Sequence, residues 1–141
     1  MRSTHPECCV SHVPTDLSSK QASNAVFAMM SANEAIKSLE FTSCQVNDTF
    51  VTRLSEVLPT SSLVELGLWR NSITAAGINP LCQSLEKSKL LALDLRENQL
   101  GVAGSALLGE ALASNHTLQR IDVRSAFFSC VPMPSDCVLI D

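Results

Sequence analysis

Four side chains near the start of the chain, His5, Cys8, Cys9 and His12, are of the types that ligate zinc. Their spacing, H-x2-C-C-x2-H, sets two cysteines side by side in a segment without hydrophobic periodicity, so a solvated arm is the default reading and no metal site is expected. The remaining histidine, His116, sits in the turn Ser114-Asn115-His116-Thr117 with no nucleophile or carboxylate at a fixed spacing. Gly101, Gly104 and Gly109 do not reproduce the G-x-x-x-x-G-K-[ST] phosphate loop. No catalytic constellation, cofactor or metal is expected, and the chain reads as a non-enzyme. The side chains with the strongest chemical claim are instead Trp69 and a set of charges that recur with it: Glu40, Glu65, Asp94, Arg96, Arg120, Asp122 and Arg124. Tryptophan and arginine are the residue types most enriched at binding hot spots.

What positions these residues is a repeat. Ile36, Leu39, Phe41, Cys44 and Val46 are echoed by Leu63, Leu66, Leu68, Asn71 and Ile73, and again by Leu90, Leu93, Leu95, Asn98 and Leu100. Leu118, Ile121 and Val123 begin a fourth copy, and the steps between first positions are 27, 27 and 28 residues. The pattern is L-x-x-L-x-L-x-x-N/C-x-L at its long period, which predicts a curved stack of strand–helix units. The fold class expected is therefore α/β: a leucine-rich repeat solenoid forming a short horseshoe arc, with parallel strands on the concave face and helices on the convex face.

Period-two alternation marks strands over 38–42, 65–69, 92–96 and 120–124. It turns three columns toward the inner curve: Ser38, Glu65, Ala92, Arg120; Glu40, Gly67, Asp94, Asp122; and Thr42, Trp69, Arg96, Arg124. Trp69 is the only tryptophan and is expected to be exposed there, beside a mixed-charge patch. The alternative is that these charges merely pair across strands and solvate the face. Asn71 and Asn98 read as structural, their amides satisfying backbone groups in adjacent turns. Apolar pairs at i, i+4 anchor the helices: Leu54 and Leu58, Leu81 and Leu85, Leu108 and Leu112. Pro80 predicts a helix that starts late or bends.

The organisation expected is a disordered arm over 1–15, a repeat domain over 16–124 and an aperiodic tail over 125–141. Residues 17–33 read as the helix half of a leading repeat, anchored by Val26 and Met30, with its strand missing and no terminal cap evident. The tail, with Phe127, Phe128, Val131, Val138, Leu139 and Ile140, reads either as a makeshift cap or as a replacement for further repeats. Open repeat ends make self-association a further expectation. A net charge of -4 without a basic stripe argues against nucleic acid. No run approaches the roughly 18 apolar residues of a membrane span. Met1–Pro14 has no apolar segment of the secretory type. Cys44 and Cys82 at buried repeat positions suit a reducing compartment, so a cytoplasmic or nuclear location is expected and the sequons at Asn47 and Asn115 are read as accidental.

The segment LLALDLRENQLGVAGSALLGEALASNHTLQRIDVR, residues 90–124, resembles the ribonuclease-inhibitor-like subclass of leucine-rich repeat proteins. Together with residues 61–89 it is similar to the repeats of protein phosphatase 1 regulatory subunits, the DLREN run at 94–98 and the N-H-T-L turn at 115–118 carrying much of the likeness. That resemblance implies a protein-interaction scaffold with a phosphatase catalytic subunit as partner. The alternatives are a GTPase activator of the RanGAP type and a shortened repeat fragment with little independent function.

Overall fold

The computed structural model describes Leu17 and residues 20–126. Helix α1 (Lys20–Ala32) leads into β1 (Ser38–Glu40), α2 (Asp48–Val57), β2 (Glu65–Gly67), α3 (Ala75–Leu85), β3 (Ala92–Asp94), α4 (Gly101–Ser114) and β4 (Arg120–Asp122). The strands form one parallel sheet in sequence order, in the register that the repeat dictates: Ser38, Glu65, Ala92 and Arg120 lie abreast, as do Glu40, Gly67, Asp94 and Asp122. Each regular strand ends two residues before the expected limit, yet the inter-repeat bonding continues. The Phe41 N–H donates to the Gly67 carbonyl, Leu68 to Asp94 and Leu95 to Asp122, each at 2.8 Å.

The apolar repeat positions form a single core between sheet and helices. Leu39, Phe41, Leu54, Leu66, Leu68, Leu81, Leu93 and Leu95 are all buried. At the end of each strand one residue takes a left-handed conformation, at Ser43, Arg70, Glu97 and Ser125, with φ of 54, 57, 51 and 57°. That turns the chain so the next residue, Cys44, Asn71, Asn98 or Ala126, points inward, and all four are buried. The repeat geometry thus persists through Ser125 and Ala126, whose carbonyl accepts from the Leu100 N–H.

Asn71 and Asn98 work as expected, as rivets between turns. The Asn71 amide oxygen accepts from the N–H groups of Cys44 and Val46 in the preceding repeat, at 3.0 and 3.1 Å. Its NH2 donates to the carbonyls of Phe41, Leu68 and Trp69. Asn98 likewise accepts from Ile73 and donates to Leu68, Leu95 and Arg96. The next helix is then started by a cap. Asn47 accepts from the Phe50 N–H, and Thr74 from that of Ala76. The Asp48 carboxylate also receives the Thr74 N–H at 2.7 Å and its hydroxyl at 2.6 Å, joining two neighbouring helix starts. A Cβ on Gly77 would stand 2.5 Å from that carboxylate oxygen, so glycine is what lets α3 approach α2.

Two expectations are corrected here. Of the two outcomes expected from Pro80, the late start is not seen: Thr74 caps α3 at Ala75 and Pro80 lies inside it. The cap and the packing of Ile78, Leu81 and Leu85 outweigh the one donor that proline removes. The N-terminal end is also not bare. In α1 the buried anchors are Phe27 and Met30, whereas Val26 is half-buried, and α1 closes the core over α2. Phe27 packs on Phe50 at 5.0 Å between ring centroids, Phe50 packs on Phe41, and the Arg53 guanidinium lies over Phe27 while bonding Ser23 and Asn24.

Cys44 and Cys82 are buried. Burial pushes the Cys82 thiol up to about 11 and raises that of Cys44. In the unfolded chain a thiol ionises near the ordinary cysteine value, so between roughly pH 9 and 11 the native state holds protons that the unfolded state has released. Stability should be intact below that window and fall as the pH rises through it, and a Cys82→Ser or Cys82→Ala chain should show a shallower alkaline decline in urea titrations. An identical decline in both would place the responsible group elsewhere.

No helix among the described residues is long and apolar enough to cross a membrane. The four residues His5, Cys8, Cys9 and His12 lie outside the described residues, as does the tail from Phe127 onward.

Candidate functional site

Strand alternation and the parallel register bring all eight sequence-selected residues to the concave face, in two groups. The first is a network centred on Arg96. Its side chain clasps the Asp94 carboxylate at 2.9 Å through Nε and 2.6 Å through a terminal nitrogen, and Nε lies 3.5 Å from Asp122. One repeat later Arg124 clasps Asp122 in the same way, at 3.0 and 2.7 Å. The two runs, Asp94-Leu95-Arg96 and Asp122-Val123-Arg124, are equivalent: in each, the aspartate also accepts the arginine's own backbone N–H. The hydrogen bonds from Arg124 hold the Asp122 carboxyl below its ordinary value, and those to Asp94 raise the Arg96 guanidinium.

Glu40 belongs to this network through Gly67. A Cβ on Gly67 would come within 3.0 Å of the Glu40 side chain, so the glycine leaves room for Glu40 to lie across the sheet, where its charge adds to the field on Arg96. Thr42 donates its hydroxyl to Glu40 at 2.8 Å.

The second group is a more exposed ion pair. Arg120 reaches Glu65 at 3.5 Å, two strands away, over the small Ala92 between them. In this high-dielectric setting such a pair contributes roughly 0–1 kcal/mol at most.

Trp69 departs from expectation. It is half-buried rather than exposed, because the Arg96 guanidinium lies over its ring, 4.8 Å from the centroid. The indole Nε1 is shielded from solvent and has no hydrogen-bond acceptor among the described residues. A desolvated donor without a partner costs about 1–3 kcal/mol. The stack recovers part of this, since a guanidinium over an indole is worth about 0.5–2 kcal/mol. The paired charges expected as the bland alternative are therefore present, and Arg96 also covers the Trp69 ring.

Sequence reasoning passed over Arg70 and Glu97, which sit side by side at the rim, 3.9 Å apart. The signal was available: both occupy the residue before the repeat asparagine, where the left-handed turn throws the side chain outward.

No family model matches the chain. Over 79 residues it is 34% identical to the NACHT, LRR and PYD domains-containing protein 12 of mouse, covering 54% of this chain and 8% of that protein. Over 87 residues it is 34% identical to pig ribonuclease inhibitor, covering 60% of this chain and 19% of that protein. The chain thus matches less than a fifth of the length of either curated relative. Its backbone superposes on leiomodin-1 actin-binding site 2 with a TM-score of 0.69 at 18% identity, covering 79% of this chain and 66% of the other. The C-terminal domain of Caenorhabditis elegans tropomodulin gives 0.66 at 20% identity, over 79% and 69%.

The fold is a short leucine-rich repeat solenoid. With the sequence relatives of the same repeat type, this carries the expected fold class and the resemblance at the level of the repeat. Each concave column follows from the repeat register and needs no further assumption.

Proposed function

We propose that the chain is a protein-interaction module that takes a protein partner on its concave sheet, with Trp69 and Arg96 as the anchor and Asp94, Asp122, Arg124 and Glu40 around it. The observation that carries this reading is the Trp69–Arg96 stack, with its desolvated indole N–H lacking an acceptor among the described residues. A partner carbonyl or carboxylate that displaces the Arg96 head completes the indole's hydrogen bonding and gives the guanidinium a new carboxylate-rich or aromatic neighbour. Interaction sites on repeat solenoids use the extended concave surface that curvature creates. One sequence relative, ribonuclease inhibitor, is named for a protein target, which supports the same partner class.

Within that reading, the resemblance of residues 61–124 favours a phosphatase catalytic subunit as the partner and a regulatory scaffold as the role. The buried free thiol of Cys82 favours a cytoplasmic or nuclear setting. The test is affinity capture from cytosol, read by mass spectrometry, followed by titration of whatever is captured. Trp69→Ala and, separately, Arg96→Ala should each weaken that partner by about 30-fold or more while circular dichroism is unchanged, the scale of a hot-spot truncation. Full affinity in both folded variants would remove the concave site. Recovery of a partner other than a phosphatase would remove the finer assignment alone.

A further inference from the structure

The fourth repeat is built like the others, but among the described residues one side of it is open. Leu58 and Leu85 are buried, and their equivalent Leu112 is only half-buried. The same holds for Leu118 against Leu63 and Leu90, Ile121 against Leu66 and Leu93, and Val123 against Leu68 and Leu95. On α4, Val102 is 68% exposed. A Cβ on Gly109 would meet nothing within 4 Å, whereas Gly77 and Gly104 are pressed against the neighbouring repeat. Among the described residues these make an open face of the core, bounded by the outer edge of β4.

We propose that this face pairs with the same face of a second copy of the chain, β4 against β4 in antiparallel register centred on Ile121. Three observations select that occupant. The Arg120 N–H and the Asp122 carbonyl bond toward β3, to Leu91 and Leu95. By alternation the N–H and carbonyl of Ile121 face the open edge, so two copies exchange both bonds at Ile121. The flanking positions then oppose Arg120 to Asp122 of the other copy, twice by symmetry, on the concave side where directly opposed side chains interact most strongly.

The two-fold axis of such a pairing is normal to the sheet, so the helix layers also meet. In the third repeat the equivalents of Val102 and Gly109 are Ala75, which packs on Gly104 of the next helix, and the buried Cys82, so Val102 and Gly109 are the α4 positions that meet the second helix. A head-to-tail stack is disfavoured by the same register: parallel addition of β4 to β1 would set Asp122 opposite Glu40, and α1 already packs at that end. An isologous contact of this kind closes on itself and does not propagate into fibres.

The experiment is sedimentation velocity of the full chain between about 1 and 100 μM, the range in which a moderate protein contact is read. A dimer is expected, and Val102→Glu, Arg120→Asp and Asp122→Arg should each weaken it about 10-fold or more. Arg120→Asp and Asp122→Arg mixed together should form a heterodimer, because each repels itself and complements the other. A monomer throughout the range overturns the proposal. A chain ending at Ala126 that dimerises while the full chain does not also overturns it, and assigns the face to residues 127–141. A dimer indifferent to all three substitutions, or a mixture no stronger than its components, places association elsewhere. Because Val102 lies outside the concave site, failure here leaves partner binding through Trp69 untouched.

Discussion

Replacing Asn71 with alanine lowers the unfolding free energy by about 3–5 kcal/mol, without changing the apolar core. The side chain makes five hydrogen bonds, all to backbone groups of its own turn or the preceding one. Alanine removes the rivet but leaves its partners. The N–H groups of Cys44 and Val46 and the carbonyl of Phe41 lose this partner in a buried turn, whereas the Leu68 and Trp69 carbonyls keep the Asn98 NH2 and the Ser43 N–H. Each stranded group costs about 1–3 kcal/mol, and partial relaxation of the turn keeps the total below the simple sum. Urea unfolding by circular dichroism, with the slope unchanged, reads the loss directly. A loss under about 1 kcal/mol would mean that water enters the turn and replaces the amide. Ala126 is the natural comparison: it occupies the same repeat position, where the preceding turn is tied through the backbone, the Leu100 N–H donating to the Ala126 carbonyl.

The second large effect is a contrast at one repeat position. Leu85→Ala should cost about 3–4 kcal/mol, since the side chain is 1% exposed and packed from both sides. Leu112→Ala should cost about 1 kcal/mol, because the open end already leaves part of the side chain in water and no enclosed cavity forms. Both are measured at dilute concentration. If a second copy covers the end, the Leu112 penalty should grow with protein concentration while that of Leu85 changes less. Equal losses in the dilute limit would show that the fourth unit is as enclosed as the third.

Most of the architecture was readable before any coordinates, because it depends on local rules that a repeat applies three times. Period two placed Glu40, Asp94 and Asp122 in one column, and the 27-residue step placed Asn71 and Asn98 under their turns. Errors arose where neighbours decide. Pro80 sits inside α3 because Thr74 caps the helix and its buried face holds it, neither of which a proline rule contains. Phe27, not Val26, became an anchor of α1 because Phe50 offered a ring to pack on.

The candidate site divides along the same line. The identities and the face of Trp69, Asp94, Arg96, Asp122 and Arg124 are properties of the sequence, since alternation and repeat length are short-range and periodic. That Arg96 closes over the Trp69 ring, that both arginines clasp the aspartate two residues before them, and that the indole N–H is left dry without an acceptor among the described residues are decided only in three dimensions. Those outcomes depend on side-chain rotamers competing for the same partners across adjacent strands. Which ion pair forms, and which polar atom is shielded, is a balance of desolvation against geometry that no pattern of residue types encodes.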